Sequence, residues 1–85
     1  MIRKGSKLAR ICLHLAAGGS LNRFEAEHLG DHTLPQTVDK LAHHGLTIAR
    51  CEEVVRGFLG HETICMRYWL EPDEAEHAMS LLPKQ

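Results

Sequence analysis

Gln36, Thr37, Lys40, His43 and His44 are the polar residues of this 85-residue chain whose types and spacing best fit a recognition task. In a major groove, glutamine matches the edge of adenine and lysine matches the acceptors of guanine. On a helix these residues lie away from Leu34, Val38, Leu41 and Ala42, which form an apolar stripe. Asp39 shares the polar side and is repelled by phosphates, although it can accept a hydrogen bond from cytosine N4. An ordinary solvated helix face has the same composition. The surrounding elements must therefore decide between the two readings.

Other chemistries find less support. Seven histidines and three cysteines invite a metal site, but there is no Cys-x-x-Cys and no His-Glu-x-x-His. His28 and His32 straddle Gly30, a helix stop, and so lack the spacing of a helical ligand pair. No metal or cofactor is expected, and a metal-stabilised structural module is the weakest of the readings. Phosphate loop, nucleophile elbow and paired acids are all missing, so no catalytic residue and no enzyme is expected. An odd cysteine count fits a reducing cytoplasm, with Cys51 and Cys65 as thiols facing each other across a hairpin.

The chain has 44% apolar and 25% charged residues, which suits one small globular domain over residues 1–85. No apolar run is long enough to span a membrane. The opening "MIRKGSKLARICLHLAAGG" resembles a leader in charge, but Arg10 and His14 interrupt its apolar run at helical spacing. It therefore reads as an amphipathic helix. Net charge is −1, yet residues 1–70 hold nine basic and seven acidic groups, and residues 71–85 hold one and four. One end can face phosphates while the other avoids them.

Start and stop signals divide the chain. A first helix is predicted from about Ser6 to Ala17, burying Leu8, Ile11, Cys12 and Leu15, with Gly18-Gly19 as its stop. "NRFE" is a capping box that opens a second helix at Asn22, with Phe24 and Leu29 supplying core contacts and Gly30 ending it. "TLPQ" is a second box, opening a third helix near Thr33, with Pro35 in its first turn and Gly45 at its end. The period then changes to two. "LTIAR" and "TICMRYWL" read as two strands, with Ile64, Met66, Tyr68 and Leu70 on one face. Matching apolar residues sets Leu46 opposite Leu70, Ile48 opposite Tyr68 and Cys51 opposite Cys65. A last helix over 72–82 has a stripe of Ala75, Ala78, Met79 and Leu82.

Three helices and then a hairpin, with a further helix behind, is the order of a winged helix-turn-helix, an α+β fold that is mostly α, with its core at residues 6–70. "NRFEAEHLGDHTLPQTVDKLAHHGLTIAR", followed by "RYWL", also resembles small helix-turn-helix proteins encoded by phages and prophages of proteobacteria. That resemblance implies a DNA-binding, regulatory role, and it does not extend to the acidic last helix.

The expectation is thus a cytoplasmic transcriptional regulator that binds double-stranded DNA with its third helix in the major groove. Base contacts fall to Gln36, Thr37, Lys40, His43 and His44. Backbone contacts fall to Arg3, Lys4, Lys7, Arg10, Asn22, Arg23, Arg56 and Arg67, with Arg50 a weaker candidate. The stripe of Ala75, Ala78, Met79 and Leu82 either joins two copies as a dimer, the favoured option, or docks on its own chain. The alternative is a winged-helix module that binds a protein, using Phe58 and Leu59 in the hairpin loop.

Overall fold

The computed structural model describes residues 2–82, except for the side chain of Phe58, which lies outside the described residues. It is an α+β fold with four α-helices and a three-stranded antiparallel sheet. The first helix, α1, spans Lys7–Ala16. Ser6 caps it, its hydroxyl accepting from the Ala9 N–H at 3.1 Å. α1 buries Ala9, Ile11, Cys12 and Leu15. The chain then runs through a two-residue strand, β1 (Ser20–Leu21), into α2 (Arg23–Ala26). The strand β1 has no sequence signature, because two residues cannot show a period.

After α2 a 3-10 turn covers Glu27–Leu29, and Gly30 takes a left-handed φ of 82°. α3 follows at Leu34–His43, then the strands β2 (Ala49–Arg56) and β3 (Glu62–Trp69), and finally α4 (Pro72–Leu81). The sheet order is β1-β3-β2. Ile11, Leu15, Leu34, Val38 and Leu41 are at most 1% exposed, and Leu46, Ile48, Tyr68 and Leu70 close over them from the sheet side. Each such side chain contributes about 1.5–3 kcal/mol of burial, so this cluster accounts for the helical layer holding its shape.

Several local expectations are corrected. The hairpin register is shifted by two: Arg50 faces Tyr68, Cys51 faces Arg67 and Glu53 faces Cys65, so Cys51 and Cys65 do not oppose each other. Leu46 and Ile48 precede β2 and enter the core directly instead of pairing. The register follows the turn, where the Gly57 N–H donates to the His61 carbonyl at 2.6 Å. A shift of two keeps every side chain on its face. That face is not all core, however. Tyr68 and Leu70 are buried, whereas Ile64 and Met66 are exposed because the hairpin outruns the helices beneath it.

In α2, Phe24 is exposed under the Arg23 guanidinium, 4.8 Å from its ring centre, and Ala26 enters the core in its place. Ala42 of α3 is exposed as well. The second capping box is absent. The Thr33 hydroxyl donates to Asp31 and makes no cap bond to α3.

The last helix lies against α1. Ala78 is fully buried, its carbonyl 3.8 Å from the Cys12 thiol, and the Ile2 N–H donates to the Leu81 carbonyl. Glu74 accepts from the Thr47 N–H at 2.7 Å. Successive helical residues turn by about 100°. A face centred on Ala78 therefore includes Ala75, Leu81 and Leu82 but turns Met79 outward, where it is half exposed. Ala78 and Leu82 of the stripe expected to join two copies are docked within the chain, and Met79 is not.

Candidate nucleic-acid interface

The turn between α2 and α3 is held by Asp31, which is wholly buried. Its Oδ1 accepts from the Thr33 N–H at 2.9 Å and lies 3.4 Å from the Lys7 ammonium. Burial raises the Asp31 pKa. Hydrogen bonds from Thr37 and Thr33 and the Lys7 charge outweigh it and hold the carboxyl below its usual range. The Thr37 hydroxyl sits between Asp31 and the Thr33 carbonyl, 3.3 Å away, and its one proton serves one of them at a time. When it serves Thr33, Asp31 Oδ2 has no hydrogen-bond partner. Asp31 escaped sequence reasoning. An Asp two residues ahead of a helix start is a turn signal, but its partner Lys7 is 24 positions away.

The hairpin is tied to α2 by a second network. Asn22 caps α2: its Oδ1 accepts from the Glu25 N–H at 2.8 Å, and Glu25 accepts from the Asn22 N–H at 3.1 Å, completing the expected box. Asn22 Nδ2 donates to Glu53 at 2.7 Å. Arg67 donates to Glu25 at 2.9 and 3.1 Å, to Glu53 at 2.9 Å and to the Ser20 hydroxyl at 2.8 Å. The Arg67 hydrogen bonds lower both carboxyl pKa values, and the two carboxylates raise that of Arg67.

These bonds revise the backbone-contact set. Asn22 is buried and Arg67 is held by two carboxylates, so neither is presented to a phosphate. Lys7 is directed at Asp31 and Thr33. Arg10 donates to the Leu29 carbonyl at 3.1 Å and the Gly5 carbonyl at 3.3 Å, covering the end of the 3-10 turn. Arg3, Lys4, Arg23 and Arg56 are exposed. Arg50 lies over the Tyr68 ring at 5.3 Å.

On α3, Gln36, Asp39, Lys40 and His43 are exposed and His44 is partly so. His43 Nδ1 is 2.7 Å from the Asp39 carbonyl. Thr37 is removed from the base-contact candidates, since it is 2% exposed and faces Asp31. The α3 polar face is therefore a stripe of Gln36, Lys40 and His43 with Asp39 beside it. At the start of α3, Arg23, Pro35, Ile64, Cys65, Met66 and Tyr68 line an open cavity of about 150 Å³. At the hairpin tip Leu59 is 80% exposed, with a left-handed φ of 63° that is unusual outside glycine. Among the described residues no cluster of three or more His, Cys, Asp or Glu can hold a metal ion, and no helix is long and apolar enough to cross a membrane.

No protein-family model matches the chain, and neither curated proteins nor solved structures give a match.

Proposed function

We propose that the chain is a winged helix-turn-helix protein that binds double-stranded DNA, with α3 in the major groove and the β2–β3 hairpin as the wing, and that it acts as a regulator of the phage or prophage kind. The observation that carries this reading is the exposed stripe of Gln36, Lys40 and His43 on a helix whose opposite side is fully packed. The helix order, the β1-β3-β2 sheet and the short turn between α2 and α3 also support it. Arg23, beside the start of α3, is the best-placed exposed cation for a phosphate.

The test is a salt-dependent shift assay on duplex DNA, first random and then selected. Affinity falls steeply with salt. Gln36→Ala and Lys40→Ala each lose about 1–3 kcal/mol on a selected site and little on random DNA. Arg23→Ala weakens both alike. Equal losses at Gln36 on both kinds of DNA would make α3 a positioning element only. The exposed Leu59 favours a second reading, a protein partner at the hairpin tip. Absence of any salt-sensitive DNA binding would leave that reading in its place.

A further inference from the structure

Beyond the helical layer the hairpin carries a largely uncovered apolar patch, bordered at Ile64 and Met66 by Arg23 and Pro35. Val54 and Ile64 are cross-strand partners and are 59% and 65% exposed. Met66 is next to them on the same face, opposite Glu52, and on the other side Arg56 faces Glu62. Strand alternation places all six side chains on the face that Tyr68 presents to the core. A solvated hairpin has no need of adjacent β-branched residues outside the core, and such a flat face is an association hazard.

The charges around the patch select its occupant. Arg23 borders the patch beside Ile64 and Met66, but the rows of the hairpin that hold the apolar residues carry Glu52 and Glu62, and both repel a phosphate backbone or an anionic membrane surface laid along them. The same charges complement a second copy. A face-to-face pair needs a two-fold axis in the plane between the sheets. With the axis along the strands, Val54 meets Ile64 of the other copy and Arg56 meets Glu62. With the axis across the strands, Val54 and Ile64 each meet their own image and Arg56 meets Glu52. Neither arrangement opposes like charges. Met66 meets Glu52 of the other copy in the first arrangement and Glu62 in the second, at the rim of the contact, where its flexible thioether leaves the carboxylate in water.

We propose that the Val54–Ile64 face of the hairpin is a self-association surface through which two copies of this chain pair two-fold, with Arg56 of each against a carboxylate of the other. Three cross-strand rows make a small contact, so the association belongs in the micromolar range. It does not depend on the DNA reading.

Sedimentation equilibrium of the full chain without DNA tests it. The wild type shows a monomer–dimer equilibrium in the micromolar range. Ile64→Lys raises the dimer Kd at least about tenfold, with circular dichroism and Tm unchanged because the side chain is exposed. Arg56→Glu also weakens the dimer, and adding Glu52→Arg and Glu62→Arg restores it. Met79→Glu, on the outer side of α4, leaves association as it was. A wild type that stays monomeric throughout, or a dimer that Ile64→Lys leaves intact, overturns the proposal. So does a dimer broken by Met79→Glu.

Discussion

Asp31 is the residue that holds the turn between α2 and α3. A wholly buried carboxylate persists because its charge is met by the Lys7 ammonium and by donors from Thr33 and Thr37. Asn in its place still accepts from Thr33 through one oxygen, but it loses the charge that meets Lys7 and sets an NH2 group where the second oxygen stood, so Asp31→Asn should cost about 1–3 kcal/mol at neutral pH, read by urea denaturation. The carboxyls of Asp31 and Glu25 are held below their unfolded values. Folding therefore gains from their ionisation above the ordinary carboxylate range, and that gain is lost as pH falls through the depressed folded values. The gap between wild type and Asp31→Asn should accordingly narrow in acid. A gap that stays constant would assign the loss to shape instead of charge. Cysteine reactivity offers a separate check. Burial pushes the Cys12 thiol up to about 11 and raises that of Cys65, whereas Cys51 is exposed on β2. Mass spectrometry after brief alkylation should find Cys51 labelled in the native chain, and Cys12 and Cys65 labelled only after unfolding.

At the scale of elements, α2 is too short to be stable by propensity. Its cap and its ties to the hairpin hold it. Asn22→Ala removes the cap, worth about 0.5–2 kcal/mol, and also the donor to Glu53. Thermal melting should show a loss at or above the upper end of that range, and a loss confined to a few tenths would mean the hairpin tie carries nothing. The capping box of α2 was legible because cap and partner are three residues apart. The second box failed although its letters were right. The Thr33 hydroxyl is turned to Asp31, to which it donates, and to the Lys7 ammonium, from which it accepts, so its oxygen takes no N–H of α3. Arg67 tells the same story over a longer range. It reads as a free basic residue on a strand, and it became a structural one only because the fold brings Glu25 and Glu53 to it.

For the whole molecule, the position of α4 decides what surface is left for assembly. Its packing against α1 centres on Ala78, which has no room for a larger or charged side chain. Ala78→Glu should lose at least about 2 kcal/mol of stability, with no change of mass in light scattering before it unfolds. Met79→Glu, pointing outward, should stay within about 0.5 kcal/mol of wild type. A change of mass in the Ala78 variant would return α4 to the role of a dimer helix. The basic residues show a similar division. Half of the expected phosphate contacts, Lys7, Arg10, Asn22 and Arg67, hold the molecule together instead. Any DNA surface must then be made from Arg3, Lys4, Arg23 and the outer face of α3, with Arg56 free for it only while the hairpin face is unpaired.

Periodicity, caps and glycine stops are local, and they were enough for α1, α3, α4, the α2 cap and β3, since each signal acts within a few residues of what it shapes, whereas the first strand was read at 46–50 and lies at Ala49–Arg56. The polar stripe of α3 was readable for the same reason, because Gln36, Lys40 and His43 lie on the side opposite Leu34, Val38 and Leu41. Only the tertiary structure decided β1, the hairpin register, the burial of Thr37 and the partners of Lys7, Arg10 and Arg67. These depend on which distant groups meet, and a strand pairing or a charge pair between residues tens of positions apart leaves no period behind. The overhang of Ile64 and Met66 belongs with them. Alternation marks which face is apolar, but how far the helices reach beneath that face is set by the packing of the whole chain.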